Sequence, residues 1–262
     1  MFDTHCHLDF VTESRSELIE LLTKSHTEHN LLGCINIGLR HDTFNSLYER
    51  TKGICNIWYS VGNHPSEEFK KEPVLSDILE YAQQADVVAI GETGLDYYYD
   101  NVPKPIQKAR FELQIQLAQD LNKPLIIHCR DALPDLLDIL KYHNANNFVM
   151  HCFTGNAKEA EQCLLLGGFI SYSGIVTFKN ALENQAAAKI TPIERLLIET
   201  DSPYLAPTPF RGKPNHPGMV KYVAAKIAEL KGLELSEIAK ITTKNACDFF
   251  QIELQDEAFK DN

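Results

Sequence analysis

The sequence predicts one α/β domain, a single (β/α)8 TIM barrel with a C-terminal helical extension. Three observations carry this. The chain has 262 residues, close to the roughly 250 of one such barrel. Short apolar runs alternate with amphipathic stretches along the whole length. The runs also recur at nearly even spacing, about one βα unit each time, as eight parallel strands with crossover helices require.

The eight runs fall at 1–7, 33–38, 56–62, 87–92, 124–129, 148–152, 168–173 and 195–201. Several are rich in Val or Ile, and most are bounded by Gly, Pro or Asn, as buried parallel strands tend to be. Between them lie helical patterns. Residues 16–26 carry Leu18, Ile19, Leu21 and Leu22, and 73–85 begins with proline at a plausible first-turn position. Residues 106–121 place Leu113, Leu117 and Leu121 at a spacing of four, and 133–142 and 157–166 follow the same logic. A proline-rich loop spans 203–217, followed by helical patterns at 220–230 and 236–250. No linker interrupts the series, so residues 1–252 read as one domain. Residues 253–262 read as a polar tail expected to fray. A doubly wound open sheet fits less well, because no Gly-rich nucleotide loop follows the first run.

Composition excludes several classes. With 44% hydrophobic residues and 25 Gly plus Pro, the chain is not disordered. No run approaches the roughly 18 apolar residues of a membrane span. Met1-Phe2-Asp3-Thr4-His5 lacks the basic and then apolar pattern of an export signal. Seven cysteines without a CxxC pair read as free thiols in a reducing cytoplasm. The 36 acidic against 25 basic side chains give a net charge of −11, which argues against coating nucleic acid by overall charge.

Metal-type side chains stand at the carboxyl ends of the proposed strands, where barrels of this class build their sites. They are His5 and His7 on the first run, Glu92 on the fourth, His128 on the fifth, His151 on the sixth and Asp201 on the eighth. Residues two apart on a strand share a face, so His5 and His7 point inward together while Cys6 points to the helix layer. By the same alternation Cys129 and Cys152 point outward, and no cysteine is expected as a ligand. A lone histidine is more often a satisfied core residue. Four with two carboxylates at strand ends are not well explained that way. Six ligands exceed the three that one catalytic zinc takes from protein and suit two divalent ions, with Glu92 central enough to bridge them. The donors fit zinc, manganese or magnesium alike.

The segments Met1-Phe-Asp-Thr-His-Cys-His-Leu-Asp, Gly91-Glu-Thr-Gly-Leu-Asp-Tyr, His128-Cys-Arg-Asp-Ala, His151-Cys-Phe-Thr-Gly and Glu199-Thr-Asp-Ser-Pro-Tyr-Leu resemble the TatD family of metal-dependent deoxyribonucleases. That family belongs to the amidohydrolase superfamily. The resemblance runs from Met1 to about Phe250 and implies the same six ligands. It also implies that His64, in Val61-Gly-Asn-His-Pro, stands near the substrate phosphate. Arg130 should return to the inward side and pair with a phosphate, or else bridge to Asp131 or another acid at the barrel top. Arg211 and Lys213 either contact a nucleic-acid backbone or form a solvated basic loop. In that loop the family commonly has glutamate where this chain has His216. Of Tyr97, Tyr98 and Tyr99, one is expected buried, one exposed and at most one stacked on a base.

Glu92 and Asp201 bring two negative charges against two divalent cations, leaving the centre at roughly +2 and attractive to phosphate. The expected activity is therefore a cytoplasmic DNase whose resemblance implies attack from 3′ ends. Its substrate would be single-stranded DNA ends, hydrolysed by a two-metal-activated hydroxide, with Asp201 handling the proton and Glu92 at the metals. A monomer without an obligate partner or membrane contact is expected. The same barrel also suits a carbonyl ester or amide hydrolase acting on a lactone or aminoacyl-tRNA ester. A metal-free scaffold would lack ligands, and none is missing.

Overall fold

The computed structural model describes residues 1–256 and 258–260. Eight parallel strands form one sheet in sequential order: β1 (Phe2–Cys6), β2 (Gly33–Ile37), β3 (Ile57–Val61), β4 (Val87–Asp96), β5 (Leu125–Arg130), β6 (Phe148–Met150), β7 (Phe169–Tyr172) and β8 (Leu196–Ile198). The barrel closes just past β8, where Cys6 bridges Ser202 in parallel. There the Asp201 N–H donates to His5 O at 2.9 Å and the His7 N–H to Ser202 O at 2.8 Å. The closing seam thus joins the segments that carry His5, His7 and Asp201.

Along the strands, side chains alternate between two apolar layers. Phe2, Ile35, Ile37, Val88, Ile126, Val149 and Leu197 fill the barrel. Cys34, Val87, Leu125, Ile127, Phe148 and Ile198 pack toward the helices. The helices are α1 (Leu8–Val11), α2 (Arg15–His29), α3 (His41–Thr51), α4 (Leu75–Ala82), α5 (Lys104–Leu121), α6 (Leu133–Tyr142), α7 (Ala157–Leu165), α8 (Leu182–Ile190), α9 (Val220–Lys231) and α10 (Leu235–Phe250). Their ends follow capping chemistry. The Ser14 side chain accepts from Glu17 N at the start of α2, and Asn156 with Glu159 forms a capping box on α7. Asn30, Asn122 and Gly232 end α2, α5 and α9 in the left-handed conformation.

Helix α9 completes the eighth βα unit, so only α10 lies beyond the repeat. Its Ala246 and Phe250, with Ile252, join the apolar filling of the barrel, and Phe249 packs on Phe169 at the start of β7, ring centroids 4.5 Å apart. The extension therefore plugs the amino-terminal mouth. Asn245 fixes it by donating to Ile193 O and Leu196 O at 2.7 and 3.0 Å.

The tail differs from the expected fraying. Phe259 is buried, its N–H donates to Cys55 O at 3.1 Å, and the Cys55 N–H donates to Lys260 O at 2.9 Å. Gln255 and Asn56 exchange two further hydrogen bonds. One aromatic anchor and two backbone hydrogen bonds are enough to dock a segment whose composition is polar. Glu257, Asp261 and Asn262 of that tail lie outside the described residues. Among the described residues, no helix is long and apolar enough to cross a membrane.

Candidate metal centre

Two strand irregularities aim the central side chains. The β1–β2 register shifts between Asp3 and Cys6, so Phe2 and His5 both face inward although three residues apart. The β4–β5 register shifts between Ile90 and Thr93, around Glu92. Bulges re-aim side chains in this way. Strand β4 runs on to Asp96, four residues beyond the Glu92 that the sequence placed at its end. In contrast, β6 and β8 stop at Met150 and Ile198, so His151 and Asp201 stand on the loops just beyond.

Five of the six candidate ligands line one cleft of about 690 Å³, and His5 stands fully buried beside them. Glu92 lies in the middle. Its Oε2 is 3.3 Å from His5 Nε2 and 3.9 Å from His7 Nε2, while its Oε1 is 2.8 Å from His151 Nε2 and 3.0 Å from His128 Nδ1. Asp201 Oδ1 sits 3.4 Å from His7 Nε2 and 3.8 Å from His5 Nε2. Three groups have donor atoms close enough to share a cation: His5, Glu92 and His151; His5, His7 and Asp201; and His64, Asp96 and His128. No cysteine is among them.

The donors fit divalent cations. Both ring nitrogens of His5 and Nδ1 of His7 are buried without a hydrogen-bond partner, the 3.3 Å approach of His5 to Glu92 lacking hydrogen-bond alignment. Buried polar atoms are otherwise nearly always paired, and unpartnered imidazoles beside carboxylates suit a metal ion.

The imidazoles also set the charge of the carboxylates. Burial pushes the pKa of Glu92 up, but the neighbouring imidazoles, His151 foremost, outweigh it and hold the carboxyl well below its ordinary range. Asp201 is likewise opposed by burial and held low, chiefly by the hydrogen bond from His7. Burial acts to lower His151, yet Glu92 and Glu199 raise it well above an ordinary histidine. His5, stacked on His151 at 3.8 Å, is lowered by burial and by that neighbour.

Two carboxylates in this shell were not singled out from the sequence. Glu199 Oε1 accepts from Cys152 N at 2.6 Å and lies 3.3 Å from His151 Nδ1, fixing that ring. Asp96 Oδ2 lies 2.8 Å from His128 Nε2. Strand parity held the signal, since Glu199 is two residues before Asp201 and Asp96 four after Glu92. Such partners orient ligating histidines.

His64 reaches the cleft with Nε2 3.5 Å from Glu92 Oε1. Its Nδ1 accepts from the Ser66 backbone N–H at 3.2 Å, which leaves the proton of the neutral ring on Nε2. Burial, and then the neighbouring His128, push its pKa down to about 3. His64 is thus a neutral donor aimed into the site. Buried Arg110 holds this loop, donating to His64 O at 3.1 Å, to Glu67 O at 2.9 Å and to both oxygens of Glu72.

Arg130 lines the cleft, its guanidinium resting on Tyr98 at 3.6 Å from the ring centroid rather than on Asp131. The tyrosine expectation is corrected: Tyr97 is half-buried and donates to Asp135, whereas Tyr98 and Tyr99 are both exposed. Cys6 and Cys129 pack against the helix layer as expected, Cys129 also bordering the cleft, whereas Cys152 stands beyond the end of β6 and lines the cleft. Burial pushes the Cys129 thiol up to about 12 and holds the Cys152 thiol well above the ordinary thiol range, so both stay protonated. Arg211 and Lys213 are not brought into this cleft; they line a second groove beside it. His216 stacks on His29 of α2 with ring centroids 6.0 Å apart and meets Ser25 Oγ at 3.4 Å, tying the proline-rich loop to that helix.

Fold and site define the class, a metal-binding (β/α)8 hydrolase. The family model described as TatD related DNase matches residues 2–251. The chain is 43% identical over 255 residues to the metal-dependent hydrolase YabD of Bacillus subtilis (strain 168), covering 96% of this chain and 99% of that protein. It is 40% identical over 256 residues to YcfH of Escherichia coli (strain K12), covering 97% and 96%. The crystal structure of YJJV, a TatD homologue from Escherichia coli K12, superposes with a TM-score of 0.89 at 29% identity, covering 97% of this chain and 98% of that one. The chain belongs to the TatD family of metal-dependent hydrolases.

Proposed function

We propose that the protein is a cytoplasmic deoxyribonuclease that hydrolyses phosphodiester bonds from the 3′ ends of single-stranded DNA with two divalent ions. The family's description supports the substrate. The observation that carries the reading is Glu92, which turns one oxygen to His5 and His7 and the other to His151 and His128. His5, His7 and Asp201 would hold one ion, His128 and His151 the other, and Glu92 both. Zinc, manganese or magnesium bound there would lower the pKa of water and polarise the phosphoryl oxygens.

The chain's own residues have separate tasks. Asp201 is the most solvent-reached of the four carboxylates, its side chain 15% exposed against 4% for Glu92 and 1% each for Asp96 and Glu199. It therefore takes the proton of the attacking water. His64 Nε2–H and the Arg130 guanidinium donate to the phosphate. The seven free cysteines suit a reducing compartment.

The test is Glu92→Ala and Asp201→Ala, with metal content measured alongside degradation of end-labelled single-stranded and duplex DNA and of a carbonyl ester. Both variants should lose DNA hydrolysis by at least about a hundredfold, and Glu92→Ala should also lose metal. Wild-type rates in either variant would falsify the assignment, as would a wild-type enzyme that cuts the ester and leaves DNA intact.

A further inference from the structure

Beside the metal cleft lies a larger groove, of about 1040 Å³, between α1, the start of α2 and the proline-rich loop. The two cavities share Tyr204 and Leu205 in their walls. His7 joins them from below, its ring centroid 6.0 Å from Phe10 and 6.3 Å from Tyr204. Phe10 and Tyr204 are among the most exposed large apolar side chains described, at 51% and 53%. Along the loop wall stand Arg211, whose guanidinium lies 4.1 Å from the Phe178 ring centroid, and Lys213, exposed. The groove's one carboxylate, Glu17, accepts from Thr12 Oγ1 at 2.7 Å.

Exposed aromatic faces beside two cations, continuous with a phosphate-cleaving centre, match one chemistry. Unpaired bases stack on aromatic rings while basic side chains track the backbone. Resting on the nuclease reading above, we infer that this groove is a strand-binding subsite for single-stranded DNA. The nucleotides next to the scissile bond cross the Tyr204 ridge, a base stacks on Phe10, and Arg211 and Lys213 take the following phosphates. His216 and Asn215 position that basic segment: His216 meets Ser25 of α2, and Asn215 Nδ2 donates to Thr200 O at 3.0 Å beside the metal centre. A protein with a net charge of −11 thereby grips a short stretch of strand without attracting nucleic acid over its whole surface.

The experiment compares labelled dithymidylate with octathymidylate, measuring Kd by anisotropy and KM by cleavage. It uses the metal-loaded wild type, Phe10→Ala and Arg211→Ala/Lys213→Ala. For the octamer, Phe10→Ala should raise Kd and KM about tenfold, the size of one lost base stack. The double variant should do likewise and flatten the salt dependence of log Kd by about 1.4, from about 0.7 per phosphate contact. Dithymidylate, too short to cross the ridge, should be handled as by the wild type. Wild-type Kd and KM in both variants, with octamer cleavage intact, overturn the groove and leave the nuclease reading standing. Tight octamer binding that these variants weaken, without cleavage of any DNA, supports the groove and removes the nuclease reading. A wild type that neither binds nor cuts the octamer overturns both. Variants that change only the sedimentation behaviour assign the groove to a second copy of the chain and overturn it too.

Discussion

Glu92 works as a hinge of charge because each of its oxygens meets a different set of imidazoles, and those imidazoles are aimed by carboxylates behind them. Glu199 holds His151 by Nδ1 while also accepting the Cys152 N–H. Glu199→Gln keeps an acceptor for that N–H but removes one of the two charges, after that of Glu92, that make His151 basic. It should therefore weaken metal affinity about 10- to 100-fold without altering the circular dichroism spectrum, as a metal titration will read. His64 stands on the other side of this division. With Nδ1 occupied by Ser66 N–H, its Nε2 carries a proton and donates. His64→Ala should keep full metal stoichiometry yet lower kcat/KM on DNA by about 10- to 100-fold. Loss of bound metal in that variant would instead place His64 among the ligands.

At the scale of the element, two bulges do what strict alternation alone cannot. The shift in β1 turns His5 inward, and the shift in β4 sets Glu92 between two halves of the site. Strand β4 then runs on beside β5 as far as the Asp96–Arg130 pair, with Gly94 at φ +132° so close to the β5 backbone that a Cβ would stand 2.0 Å from His128 O. Gly94→Ala should cost about 3–5 kcal/mol and lower the melting temperature by roughly 10 °C; an unchanged melting curve would show that β5 yields. The sequence displayed all eight strands because buried parallel strands are continuous apolar runs between turn residues. It displayed the ligands because they ended those runs. Bulges carry no such mark, so the extension of β4 was not legible, and Asp96 and Glu199 showed only through their parity with Glu92 and Asp201. Helices α3 and α8 also escaped, since they bury few large apolar residues: Phe44 and Leu47 in one, mainly Ala187 and Ala188 in the other. The tail misled because its composition is polar and its anchoring rests on one ring, Phe259.

For the whole molecule, charge and stability divide between the two mouths of the barrel. At the carboxyl end, Asp96 and Glu199 join Glu92 and Asp201, so four carboxylates roughly offset two divalent ions. The loaded centre is then nearer neutrality than its ligands alone suggest, and phosphate binding leans more on His64, Arg130 and the neighbouring basic loop. At the amino end, Phe250 plugs the barrel with apolar surface. The ligand end is costly without metal, because His5 and His7 hold buried nitrogens that find no partner among the described residues. Metal at 100 to 1,000 times its Kd stabilises the native state by about 2.7–4.1 kcal/mol, so chelation should lower the melting temperature by roughly 5–15 °C. Phe250→Ala should cost about 3–5 kcal/mol on its own. The mouths lie at opposite ends of the barrel, so the two effects should add within about 0.5 kcal/mol. Melting wild type and Phe250→Ala with and without chelator closes the cycle. A metal increment that shrinks by half or more in the variant would mean that the plug and the metal centre are one cooperative unit.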